Sequence, residues 1–228
     1  MVNLNLVVEG KRPEKAELGL VNNAEVLRES LYTFFEKVLC RDDISLTILM
    51  GDGKHSAAKF FVEKSLQDQQ SQSALFMDSD LPPAKSSSWF DEFINKVNPE
   101  KSIIIPDKNK QYVFFMVQEM EAWFLKQLVC LEKWAEAEGY RYKPVVKKRL
   151  QIDITEHTVI KNRKIEDISK PSEKLNLLMK TYYKDMDNKA AKYGKLAIAP
   201  ILLNYLDVPL LLEQDSELKR FQATYRNC

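Results

Sequence analysis

Apolar positions along the first 140 residues switch repeatedly between a strand-like and a helix-like pattern. Leu4-Asn5-Leu6-Val7-Val8 is a short β-type run closed by Glu9-Gly10, and a loop with Lys11, Arg12 and Pro13 follows. From about Asn23, the residues Val26, Leu27, Leu31, Phe34, Phe35 and Val38 recur at spacings of three and four, the period of an amphipathic helix. Asn22 or Asn23 suits its cap. Ile44 to Met50 reads as a second strand, ended by Gly51-Asp52-Gly53, and a helix is predicted from Ser56 to about Leu66. After a polar connector, Ala74-Leu75-Phe76-Met77 is a third strand that stops at Asp78-Ser79-Asp80. The pattern then predicts a helix over Trp89–Val97 and a fourth strand over Ser102–Pro106. A fifth strand over Tyr112–Val117 and a long helix from Gln118 to about Glu138 follow. Strands alternating with helices predict an α/β domain with a mainly parallel sheet over residues 1–140.

The pattern changes after Gly139. Residues 141–170 are basic and irregular, with short strands predicted around Leu150–Ile154 and Thr158–Ile160. Helices are predicted from Pro171 to Tyr183, over Asp187–Tyr193, over Ala197–Leu206 and after Pro209, with Pro171 at a first turn where proline is tolerated. Residues 141–228 therefore read as a mostly helical C-terminal region packed on the α/β domain.

Composition narrows the function classes. The chain has 228 residues with 34 Lys+Arg and 33 Asp+Glu, which excludes a generic polybasic nucleic-acid binder. No apolar run approaches the roughly 18 residues of a membrane span, and no secretory signal is read at the start. Cys40, Cys130 and Cys228 form neither a disulfide framework nor a zinc pattern, so a cytoplasmic setting is expected. With only His55 and His157, multi-histidine chemistry is excluded. The charge is uneven: residues 1–140 hold 16 Lys+Arg against 22 Asp+Glu, and residues 141–228 hold 18 against 11. The acidic half suits a metal and the basic half suits phosphates.

Candidate chemistry lies at strand ends. Ligands of open α/β sheets bind beyond the carboxyl ends of the strands. Glu9 ends the first strand there, and Asp78 and Asp80 end the third, on one side of it if the strand runs through both. Carboxylates so grouped are hard oxygen ligands for Mg or Mn, with water and substrate phosphate completing the shell.

The strand followed by Glu9-Gly10, then the strand followed by Asp78-Ser79-Asp80, resembles the Toprim fold. That fold is shared by topoisomerases, primases and the nucleases of the overcoming-lysogenization-defect type. Val117-Gln118-Glu119-Met120-Glu121-Ala122-Trp123-Phe124-Leu125 and Lys170-Pro171-Ser172-Glu173-Lys174-Leu175 resemble a small prokaryotic Toprim-like family. Genes of that family lie beside those for ABC-type ATPases, in phage-defence settings. The resemblance covers most of the chain. It implies Glu9 as an acid/base or metal residue and Asp78 and Asp80 as metal ligands. The third acid common in Toprim proteins is absent, because Pro82 takes its place; Glu119 or Glu121 is the candidate substitute, with one of the two facing the site.

Other motifs yield less. Gly51-Asp52-Gly53-Lys54 lacks Walker A spacing, since Ile48 stands where its first glycine belongs, but a glycine loop before a helix can still cradle phosphate. Lys11 and Lys54 are the phosphate candidates in the first half. The second half adds Lys147, Lys148, Arg149, Lys161, Arg163 and Lys164, interleaved with tyrosines that could stack on bases. Together these readings imply an Mg- or Mn-dependent endonuclease acting on DNA or RNA with an ABC-type ATPase partner. The alternatives are a non-catalytic Toprim-like subunit of such an ATPase and, less suited to this length, a primase-like enzyme or a topoisomerase.

Overall fold

Side-chain alternation decides how the sheet is covered. In the computed structural model, which describes residues 2–10, 23–67, 71–82, 90–91, 103–147 and 150–226, strand β1 (Val2–Glu9) buries Leu4, Leu6 and Val8 on one face and Val7 on the other. Strands β2 (Ile44–Gly51), β3 (Ser71–Asp78) and β4 (Val113–Met116) complete a four-stranded sheet of order β2-β1-β3-β4, all parallel. Strands buried on both faces read as nearly continuous apolar runs, and Ala74, Leu75, Phe76 and Met77 are all fully buried. The chain steps from β1 to β2 on one side, then crosses back to β3 on the other. The connecting helices accordingly cover opposite faces. Helix α1 (Asn23–Leu39) packs on the side of Leu4, Leu6 and Phe76, and α2 (Gly53–Gln67) packs on the side of Val7 and Leu75. Gly51 permits the second contact: a Cβ there would lie 2.5 Å from Ala57 Cα.

The C-terminal helices close the α1 face. These are α6 (Pro171–Tyr182), α7 (Lys195–Tyr205), α8 (Val208–Gln214) and α9 (Ser216–Arg226), which follow the short helices α3 (Asp107–Lys110), α4 (Glu121–Lys126) and α5 (Val129–Ala137). Phe221 of α9 stands edge-on to Phe35, Phe76 and Phe114, at centroid distances of 5.4, 5.6 and 5.1 Å. Trp123 of α4 stacks on Phe34 at 5.0 Å. One aromatic cluster thus joins α1, the sheet, α4 and the last helix, α9. The small ladders β5 (Arg141–Tyr142) with β8 (Tyr183–Lys184), and β6 (Val145–Lys147) with β7 (Leu150–Ile152), lie outside the main sheet.

The α/β expectation holds, with four differences of detail. Ile103–Pro106, the described part of the predicted fourth strand, form no strand. The place beside β3 is taken by β4, with Leu75 opposite Val113, while Ile103 and Ile105 fill the α2-side core. The long helix predicted over 118–138 is broken at Gln127, whose side-chain amide pairs both ways with the backbone of Asp207 at 2.8 Å. Thr158–Ile160 form a turn. Asp187–Tyr193 are not helical either, because the chain turns there and bridges Ala190 to Lys184. Of the helix predicted over Trp89–Val97, Phe90 and Asp91 are helical and the rest lies outside the described residues.

Among the described residues no single helix is long and apolar enough to cross a membrane. The pair α7 and α8 reaches that length and composition together, but it bends by 100° and its buried leucines belong to the core.

Phe221→Ala is expected to destabilise the protein by about 3–5 kcal/mol. Urea unfolding followed by tryptophan fluorescence and by far-UV circular dichroism should lose stability equally by both probes, because the cluster is shared by both halves of the chain.

Candidate active site

The strand order places a switch point between β1 and β3, and the carboxyl ends of these strands are the crevice position at which open α/β sheets bind ligands. Glu9 ends β1 and Asp78 ends β3, and Asp78 N–H donates to Glu9 Oε2 at 3.2 Å. Asp78 shares the parity of Ala74 and Phe76, so its side chain leans toward the face covered by the C-terminal helices. It is 7% exposed. Its Oδ1 accepts from Met120 N–H at 3.0 Å, and Lys195 Nζ, from the first residue of α7, lies 3.3 Å from its Oδ2.

Glu121 is the third carboxylate of this group. It opens α4, is 1% exposed, and its Oε1 accepts from Tyr193 Oη at 2.7 Å. Its Oε2 is buried with no hydrogen-bond partner. Glu119, two residues earlier, turns elsewhere: its Oε2 accepts from Ser172 N–H at 2.8 Å and caps α6, a helix whose own N-cap residue, Lys170, supplies no capping side chain. Asp80 leaves the line of the strand. It follows the end of β3, adopts φ 55° and pairs with Lys54 at the start of α2. The condition for Asp78 and Asp80 to share a strand face is therefore unmet: β3 stops at Asp78.

Charge in the crevice is incompletely compensated. Burial, and next the charge of Asp78, push the Glu9 carboxyl up to about 7, against the pull of Lys54 and Lys195. Burial also raises Asp78, opposed by Lys195 and Lys54. Burial raises Glu121 in turn, with Asp78 adding to the rise and Lys195 opposing it. For Lys195, burial favours the neutral amine, but Asp78, Glu121 and Glu9 outweigh it and raise its pKa. Tyr193 is raised well above the usual phenol by burial and by Glu121.

Carboxylates held above their ordinary pKa, with one buried oxygen unpartnered, are a donor set that a hard divalent cation would satisfy. Among the described residues no group of three or more His, Cys, Asp or Glu side chains stands in metal-holding geometry. An ion at this place would have to be held by Glu9 and Asp78, with the remaining positions left to water and phosphate oxygens.

The predicted nucleic-acid contacts are dispersed. Lys54 belongs to the crevice through Asp80. Lys147 is exposed on β6, Lys161 pairs with Glu156 at 2.5 Å, and Arg163 and Lys164 are exposed beside Ile165. Lys11, Lys148 and Arg149 lie outside the described residues.

Tyr193 and Lys195 are the site residues that sequence reading passes over, counting them only among the basic and aromatic residues of the second half. They lie more than 110 positions beyond Asp78, and a Tyr-Gly-Lys triplet before an apolar helix is their only local sign. No protein-family model matches this chain, and neither a curated protein nor a solved structure matches it.

Glu9 sets a pH dependence of stability. Below pH 4.5 its carboxyl is protonated whether the chain is folded or unfolded. Between 4.5 and about 7 the unfolded chain releases the proton while the folded one keeps it, so stability falls as pH rises. Glu9→Gln removes this loss. In chelator, its stability relative to the unmodified protein should improve from pH 4 to pH 8 by on the order of 3 kcal/mol in urea unfolding.

Proposed function

We propose that the crevice hydrolyses phosphodiester bonds of DNA or RNA with Mg or Mn. The observation that carries this reading is the Glu9–Asp78 pair, joined by the Asp78 N–H at the carboxyl ends of adjacent central strands, with Lys54 and Lys195 beside it. Glu9 and Asp78 would hold the ion, which when bound polarises a phosphate and lowers the pKa of water. The lysines offset phosphate charge. Either as ligand or as base, the ionised form of Glu9 is the working one. Exposed Lys147, Arg163 and Lys164 supply the salt-dependent grip on the backbone. The Toprim-like resemblance of the strand-end acids and of Gln118–Trp123 supports the same reading. It is also the source of the proposed ABC-type ATPase partner and phage-defence role.

A second reading is a non-catalytic Toprim-like subunit of that ATPase. It is favoured by the internal pairing of Asp80 with Lys54 and of Asp78 with Lys195, which partly neutralises the acids without a ligand.

Purified protein incubated with plasmid DNA, single-stranded DNA and bulk tRNA, each with Mg, Mn or chelator, separates the two. The hydrolase reading expects metal-dependent cleavage that chelator abolishes. It also expects a loss of about 100-fold or more in Asp78→Ala with folding retained. Absence of cleavage on every substrate, with normal biological activity of Asp78→Ala and Glu9→Ala, supports the subunit reading.

A further inference from the structure

Gln118 to Glu121 join the end of β4 to α4, and three of these four residues reach into the second half of the chain. Gln118 Nε2 donates to the Glu166 carbonyl at 3.1 Å, Glu119 Oε2 caps Ser172 N–H at 2.8 Å, and Glu121 Oε1 takes the Tyr193 hydroxyl at 2.7 Å. Met120, the fourth, gives its N–H to Asp78. Lys126 of α4 adds an ion pair with the Glu166 carboxylate at 2.8 Å. Gln118 adopts φ 67°, and its backbone is tied to the end of β3: its N–H donates to Ser79 Oγ at 2.7 Å and its carbonyl accepts from Asp80 N–H at 2.8 Å. A non-glycine residue held in that region persists only where its surroundings over-determine it. Tyr193 is fixed a second time, through its N–H to Asn176 Oδ1 on α6 at 3.0 Å.

Lys195 lies two residues past Tyr193. Its side chain is 41% exposed, and its ammonium turns inward to Asp78. We propose that Gln118, Glu119 and Glu121 form a clasp on the 166–193 segment, and that Tyr193 is the positioning residue that seats Lys195 against Asp78. The clasp stands on contacts alone. That the seated ammonium serves phosphate chemistry rests on the hydrolase reading above.

A double-mutant cycle tests the seat without any need for activity. Tyr193→Phe keeps the ring and removes the hydroxyl, and Lys195→Met removes the charge. Urea midpoints are measured in chelator for the unmodified protein, both single variants and the double variant. If Tyr193 seats Lys195, the double variant loses less than the sum of the two single losses. Additive losses overturn the proposal. Should Tyr193→Phe fail to fold, the same cycle is run with Gln118→Ala.

Where metal-dependent cleavage is found, Tyr193→Phe should lower kcat about tenfold, with KM for a short oligonucleotide changed less than twofold. An unchanged kcat overturns the catalytic role of the seated ammonium, while the midpoint cycle decides the seat itself. An unmodified protein that cleaves nothing counts against the hydrolase reading, and the midpoint cycle still decides the seat.

Discussion

Asp78 is a carboxylate carried into the interior by the parity of its own strand, and much of the molecule answers to that burial. Its neighbours Ala74 and Phe76 must face the core, so position 78 faces it too. An ionised group there needs donors and a counter-charge. The donor is Met120 N–H, which requires the turn after β4 to fold back over the end of β3. The counter-charge is Lys195, which requires the start of α7 to arrive at the same place. Each requirement fixes the position of a segment remote in sequence.

Compensation at the crevice is partial, and that is informative. Two lysines face Glu9, Asp78, Asp80 and Glu121, one of them engaged with Asp80. Elsewhere the fold treats a buried acid differently. Asp215, 1% exposed, accepts from Trp123 Nε1 at 3.0 Å, Lys126 Nζ at 2.9 Å and Leu218 N–H at 2.9 Å, the last of these opening α9. Asp215 is saturated and structural, whereas Glu121 keeps an oxygen without a donor.

The strands of the main sheet were legible because period-two alternation and apolar runs are local signals. So were the ends of β1 and β3 with their acids, and the helices α1, α2, α6 and α7. Ile103–Pro106 misled because an apolar run in extended form can pack on a core without joining a ladder. The break at Gln127 was hidden because its cause, Asp207, is 80 residues away. Glu119 and Glu121 were indistinguishable in sequence, and only the packing of α6 and Tyr193 assigns them different partners. Lys195 was one lysine in a basic stretch until its partner was known.

The aromatic cluster also sets an order of events at synthesis. Phe35, Phe76 and Phe114 are made early, but the ring that stands against all three, Phe221, comes roughly a hundred residues after the last of them. A ribosome-bound chain whose sheet has formed would have Trp123 against Phe35 and Phe76 but would lack the ring that closes on all three throughout that interval. An aromatic face left open in this way is a substrate for chaperones and a hazard for neighbouring nascent chains, so slow elongation through the second half would be paid in misassembly rather than in lost chemistry.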